Sequence, residues 1–185
     1  LDKAIETINA AIARYSENGN YHLLRGRILL EQHRLDAAFH ALTKATTLTP
    51  QLPEPHYFLG TLHQRWGEDE KALAEYKQAM EKDTSHPQYF LATAETHVAL
   101  EQYDTAIDLL TSSSQEFQHH PSVSLLLGQI HLTIGQPEEA ATWFEDSRML
   151  GSENPDVLTS IVTAHFNAGN YAECLHALAL LKDKQ

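Results

Sequence analysis

Apolar side chains recur three and four residues apart along this chain, in short runs separated by Gly, Pro or polar turns. Over 53–66, Tyr57, Phe58, Leu59, Leu62 and Trp66 fall on one side of a helix. Over 69–82, Ala72, Leu73, Tyr76, Ala79 and Met80 do the same. Pro53 stands where a helix loses nothing, because a first-turn amide has no partner within the helix. Gly67 supplies the left-handed residue that stops it. Two antiparallel helices joined by so short a turn make a helical hairpin. The same reading predicts helix pairs at 19–32 with 35–48, 53–66 with 69–82, 87–100 with 103–116, 121–134 with 137–150, and 155–168 with 171–182. A lone helix precedes them in 1–18, with Ala4, Ile5, Ile8, Ala11 and Ile12 as its stripe. Pro137 is harmless at a first turn. Thr111 to Ser114 is a local weak spot late in its helix, since serine favours caps over helix interiors.

The hairpins are copies of one another. Pro53, Pro87, Pro121 and Pro155 stand thirty-four residues apart, and Ala4, Ala38, Ala72, Ala106, Ala140 and Cys174 keep the same interval. Two residue series locked to one period mean internal duplication, and the unit is the helical hairpin. Gly60 and Ala72 are small because the two helices of a pair approach closely there. The repeats occupy 19–52, 53–86, 87–120, 121–154 and 155–185, in a single all-α array without a linker or low-complexity tract.

Within the unit, Leu59, Gly60, His63, Gly67, Ala72, Tyr76 and Ala79 form a pattern that resembles the tetratricopeptide repeat. Leu127, Gly128, His131, Gly135, Ala140 and Phe144 match it in 121–154, and Gly26, Leu29, Ala38, Leu42, Ala45 and Pro50 in 19–52. The unit 87–120 departs from it, with Ala94 for the glycine, Glu101 at the turn and Ser113 after Leu110. In 155–185, Val162 and Cys174 replace small residues, while Gly169 and Tyr171 are kept. The resemblance covers the whole chain and implies a right-handed superhelical solenoid whose first helices line a concave face. It also implies that 1–18 is the second helix of a truncated repeat, so the chain is expected to be a piece of a longer array.

Composition narrows the class of partner. Acids outnumber bases 25 to 13, and the formal charge of −12 argues against nucleic acid and against anionic membranes. No apolar run approaches the ~18 residues of a membrane span, so no membrane insertion is expected. One cysteine, Cys174, rules out an internal disulfide; it reads as a small core residue.

The candidate chemistry is that of binding. There is no Gly-rich phosphate loop, no His-Glu-x-x-His and no Cys/His set with ligand spacing, so neither enzymatic activity nor a cofactor is expected. Twelve histidines invite a metal reading, and His63, His97, His131 and His165 hold one place in four successive first helices. Stacked helix layers are about 8–10 Å apart, whereas a metal–nitrogen bond is about 2.0–2.1 Å, so neighbours cannot share an ion unaided. They read instead as interhelical packing with hydrogen bonds. His119-His120 reads as a solvated lead-in to Pro121. Acids such as Glu68-Asp69-Glu70 and Glu138-Glu139 complement helix dipoles at the starts of second helices.

The concave offsets that the resemblance implies select Leu24, Arg27, Tyr57, Thr61, Arg65, Leu91, Glu95, Gln129, Leu132 and Phe166 as a groove for a peptide or protein segment. Relatives that hold chaperone tails clamp a C-terminal carboxylate with Lys and Asn in one repeat, Asn in the next, and Lys with Arg in the third. The matching places here, Leu23, Arg27, Phe58, Gln88 and Ala92, do not supply that clamp, and the asparagine ladder of repeat arrays attached to sugar transferases is missing. The alternative reading is a structural segment of a larger complex or secretion apparatus that self-associates through uncapped ends.

Overall fold

The computed structural model describes residues 2–112, 117, 120–152 and 156–183. Ser113 and Ser114 of the expected weak spot, His119 and Pro155 lie outside them. Within the described residues there are eleven helices and no strand: α1 Asp2–Arg14, α2 Gly19–Glu31, α3 Leu35–Leu48, α4 Glu54–Arg65, α5 Asp69–Lys82, α6 Pro87–Ala99, α7 Tyr103–Thr111, α8 Pro121–Thr133, α9 Pro137–Met149, α10 Asp156–Asn167 and α11 Tyr171–Asp183. The protein is an all-α repeat solenoid. Its contacts group into two compact units, residues 1–96 and 97–185.

In the first unit α1 lies on α2, α2 pairs with α3, α4 packs on both, and α4 pairs with α5. The core of the α2–α4 region is Leu29, Leu30, Ala38, Ala41, Leu42, Leu59 and Leu62. Burying such a leucine contributes roughly 1.5–3 kcal/mol. In the second unit α8 pairs with α9, α9 packs on α10, and α10 pairs with α11. Phe144, Val157, Ile161 and Ala164 are central there, and Cys174 is buried.

Three hairpins are narrow where a glycine of the first helix faces a large residue of the second. A Cβ on Gly60 would lie 2.6 Å from the Tyr76 ring, and one on Gly128 2.6 Å from Phe144. Gly26 meets Leu42 in the same way. The glycine therefore makes room for a buried side chain across the hairpin, which is how the ring of Tyr76 reaches α4.

The turns share one closure. In α4 the amide of Gly67 bonds the carbonyl of Gln64 and the amide of Glu68 bonds that of His63, with Gly67 left-handed at φ 73°. Such a closure satisfies the last carbonyls of the helix. It recurs as Gln102 to His97, Gln136 to His131, Asn170 to His165 and Arg34 to Leu29. The left-handed place is a glycine at 135 and 169, but His33 and Glu101 occupy it in two hairpins.

Side chains double this bond in three of the turns. His63 Nδ1 is 2.7 Å from Glu68 Oε2, His97 Nδ1 is 2.7 Å from Gln102 Oε1, and His131 Nδ1 is 2.7 Å from Gln136 Oε1. These oxygens only accept, so each Nδ1–H donates. Lys71 and then His63 hold the Glu68 carboxyl below the usual carboxylate range. His63, His97 and His131 are thus turn clasps that join the end of one helix to the start of the next.

Candidate functional site

The first unit carries its most developed surface on α2, α4 and the start of α6. Leu24, Arg27, Ile28, Leu30, Glu31, Phe58, Thr61 and Arg65 enclose a pocket of about 300 Å³ between α2 and α4. Residues three and four places apart on each helix, Leu24, Arg27, Ile28 and Glu31 on α2 and Phe58, Thr61 and Arg65 on α4, share this side as the helical repeat requires. Leu24 is 45% exposed although apolar. The Arg27 guanidinium lies over the Phe58 ring, 5.0 Å from its centroid. Arg65 Nη1 donates to the Leu30 carbonyl at 2.7 Å, capping the end of α2 from the neighbouring repeat. Among the described residues the Arg27 guanidinium has only this ring contact and that of Arg65 only this hydrogen bond.

Beside the pocket is a tyrosine cluster. The Tyr57 ring stands 5.6 Å from Tyr76 and 5.5 Å from Tyr89, and His86 stacks on Tyr89 at 4.8 Å. Tyr76 Oη donates to Gln64 Oε1 at 2.7 Å, and Gln88 Nε2 donates to Tyr57 Oη at 2.7 Å. Thr61 Oγ1 donates to the Tyr57 carbonyl. Burial pushes the phenols of Tyr76 and Tyr89 up to about 12, so both stay neutral donors. Glu95 reaches solvent, but its surroundings desolvate the carboxyl and push it above the ordinary range. Leu91 is half-buried.

The ten residues selected from the sequence do not share one environment. Leu24, Arg27, Thr61 and Arg65 come together in the α2–α4 pocket, and Tyr57 adjoins it through Phe58, 5.3 Å away. In the second unit, Gln129 is exposed, Leu132 packs on the core around Phe144, and exposed Phe166 meets Tyr171 edge-on at 6.0 Å. The pocket also uses Ile28, Leu30, Glu31 and Phe58, which were not among the ten. Crowding of aromatic residues at 57, 58, 76 and 89 is the sequence signal that marks this part of the surface.

Two tetratricopeptide-repeat family models match, one over residues 1–53 and the other over 97–151, together more than half of the chain. The chain belongs to the tetratricopeptide-repeat family. Solved structures with the same fold include PilW, a type IV pilus biogenesis factor, at TM-score 0.84 and 19% identity over 98% of this chain and 84% of that one. PilF of Pseudomonas aeruginosa superposes at TM-score 0.77 with 21% identity, covering 92% of this chain and 78% of that chain. YrrB, a tetratricopeptide-repeat protein with an unusual peptide-binding site, gives 0.74 at 18% identity, covering 98% and 94%. Identities this low speak to the fold alone. A UDP-N-acetylglucosamine–peptide N-acetylglucosaminyltransferase of Giardia intestinalis is 28% identical over 111 residues, 56% of this chain. The chain spans only 8% of that relative's length, so the likeness extends to repeats and not to a whole enzyme. Tetratricopeptide-repeat proteins are protein-interaction scaffolds in general, and the family is generally non-catalytic.

Proposed function

We infer that this chain is a protein-interaction scaffold that takes a peptide or protein segment along the first-helix face of residues 1–96, with Leu24, Arg27, Tyr57, Thr61, Arg65, Leu91 and Glu95 as its contacts. The observation that carries this reading is the pocket between α2 and α4, where an exposed leucine and a half-buried phenylalanine lie beside two arginines. An exposed apolar patch rimmed by polar groups is a common mark of a binding surface. Aromatic and arginine anchors supply most of the energy of such contacts. The peptide-binding site of YrrB lends support by fold alone. Gln129, Leu132 and Phe166 are proposed as lesser contacts in residues 97–185.

The test is a peptide selected from a displayed library against the whole chain. Tyr57→Ala combined with Leu91→Ala is expected to weaken it several-fold or more, with helical content unchanged, since truncating an anchor typically costs ~2 kcal/mol or more. Unchanged affinity would place the site elsewhere.

A second reading is self-association, favoured by α11, where Tyr171 is 63% and Leu175 68% exposed on one side of the helix. Light scattering across a range of concentrations separates the two. The scaffold reading expects a constant mass of 20.8 kDa with the binding face empty, and self-association expects mass to rise with concentration.

A further inference from the structure

We propose that the α2–α4 pocket is an anion anchor, filled by an Asp or Glu side chain of a segment whose neighbouring apolar side chain rests on Leu24 and Phe58. This builds on the reading of the α2–α4–α6 face as a binding surface and adds the chemistry of its occupant. Three observations carry it. Arg27 and Arg65 face one pocket of about 300 Å³. Neither makes an ion pair among the described residues, where Lys44, Lys71 and Arg148 are the only lysines and arginines that do. Arg27 and Arg65 stand apart from the other unpaired bases in facing one pocket together. Glu31 borders the pocket and is not within ion-pair distance of either.

The third observation is preorganisation. Phe58 beneath Arg27 and the Leu30 carbonyl beside Arg65 fix both groups before any ligand arrives. Less side-chain entropy is then lost on binding. Any occupant covering the pocket strips water from both charges, and an uncompensated buried charge is costly. A neutral occupant leaves them uncompensated and a basic one adds repulsion. A carboxylate accepts their N–H groups in the paired geometry that guanidinium favours. The Tyr57–Gln88 edge continues beyond the pocket, so a passing segment that presents a side chain fits better than a chain end.

The probes are acetyl-Leu-Glu-Leu-amide, its Gln and Lys counterparts, and acetyl-Leu-Gln-Leu with a free carboxyl terminus. Each is titrated to several millimolar into the whole chain, following the Arg27 and Arg65 Nε–H resonances. The Glu probe is expected to shift both resonances and to bind about tenfold tighter than the Gln amide. Arg27→Gln, which breaks no hydrogen bond in the structure, should remove most of that preference, and Arg65→Lys should keep only part of it.

Equal binding of the Glu and Gln amides, tighter binding of the Lys probe, or no shift of either resonance would overturn the anchor. A free-terminus probe that matches the Glu amide would overturn the assignment to a side chain. If the anchor fails while the library-selected peptide still depends on Tyr57 and Leu91, the binding face stands without it. If that peptide ignores Tyr57 and Leu91 while the Glu probe still moves both arginines, the anchor stands and the wider face does not.

Discussion

His165 occupies the place of His63, His97 and His131, but its Nδ1 is buried without a hydrogen-bond partner. The residue five places on is Asn170, one methylene shorter than Gln102 and Gln136. Asn170→Gln is therefore expected to complete a fourth clasp and to stabilise the last hairpin by about 1 kcal/mol in urea unfolding. No change would mean the clasps contribute nothing beyond the backbone closure. Glu95 gives a second test, with a sign. Desolvation raises its folded carboxyl above the ordinary 4.5, so the folded chain binds the proton more readily than the unfolded one. Its contribution is full below the unfolded value and is lost as pH rises through the folded one. Glu95→Gln should be more stable than the parent at pH ~7, and the difference should vanish near pH ~4. A difference that ignores pH would show that the carboxyl is not desolvated. The four histidines were visible in the sequence as an aligned series, and spacing set aside a metal shared between neighbours. Their partners were less visible, because periodicity describes one face of one helix and a clasp crosses from one helix to the next.

Hairpins are the elements on which the repeat pattern is written, and their helices begin and end within a residue or two of where apolar spacing, proline and glycine place them. The exception is the second helix of 87–120, expected to reach 116, for which α7 is described to Thr111. Legibility was high because each helix buries one stripe against a neighbour of the same kind. What the pattern could not show was the use of each glycine. Spacing puts Gly60 and Gly128 at a close approach, and the structure shows a whole aromatic ring of the partner helix filling the space. Two effects then oppose each other in Gly128→Ala. Alanine favours a helix by about 1 kcal/mol over glycine. Its Cβ would lie 2.6 Å from Phe144, which sits fully buried and has little room to shift. Overpacking of this kind costs typically 1–3 kcal/mol, so a net loss is expected on thermal or urea unfolding. A gain in stability would mean that the ring relaxes freely and that the hairpin is looser than its geometry.

Across the whole molecule the excess of acid keeps the surface negative, yet the pocket of the first unit pairs two arginines with exposed apolar groups. Repeat phase made Leu24, Arg27, Thr61 and Arg65 legible as residues of one face, since equivalent offsets in successive first helices point the same way. Leu132 is partly buried, with one side packed against the core around Phe144. The central claim is that the first helices of residues 1–96 carry the binding face. Amide hydrogen exchange of the whole chain, with and without the library-selected peptide, tests it most directly, because binding raises the local opening free energy of the helices it touches. Added protection is expected in α2, α4 and the first turns of α6. Protection confined to α3 and α5, or to α1 and α11, would contradict it.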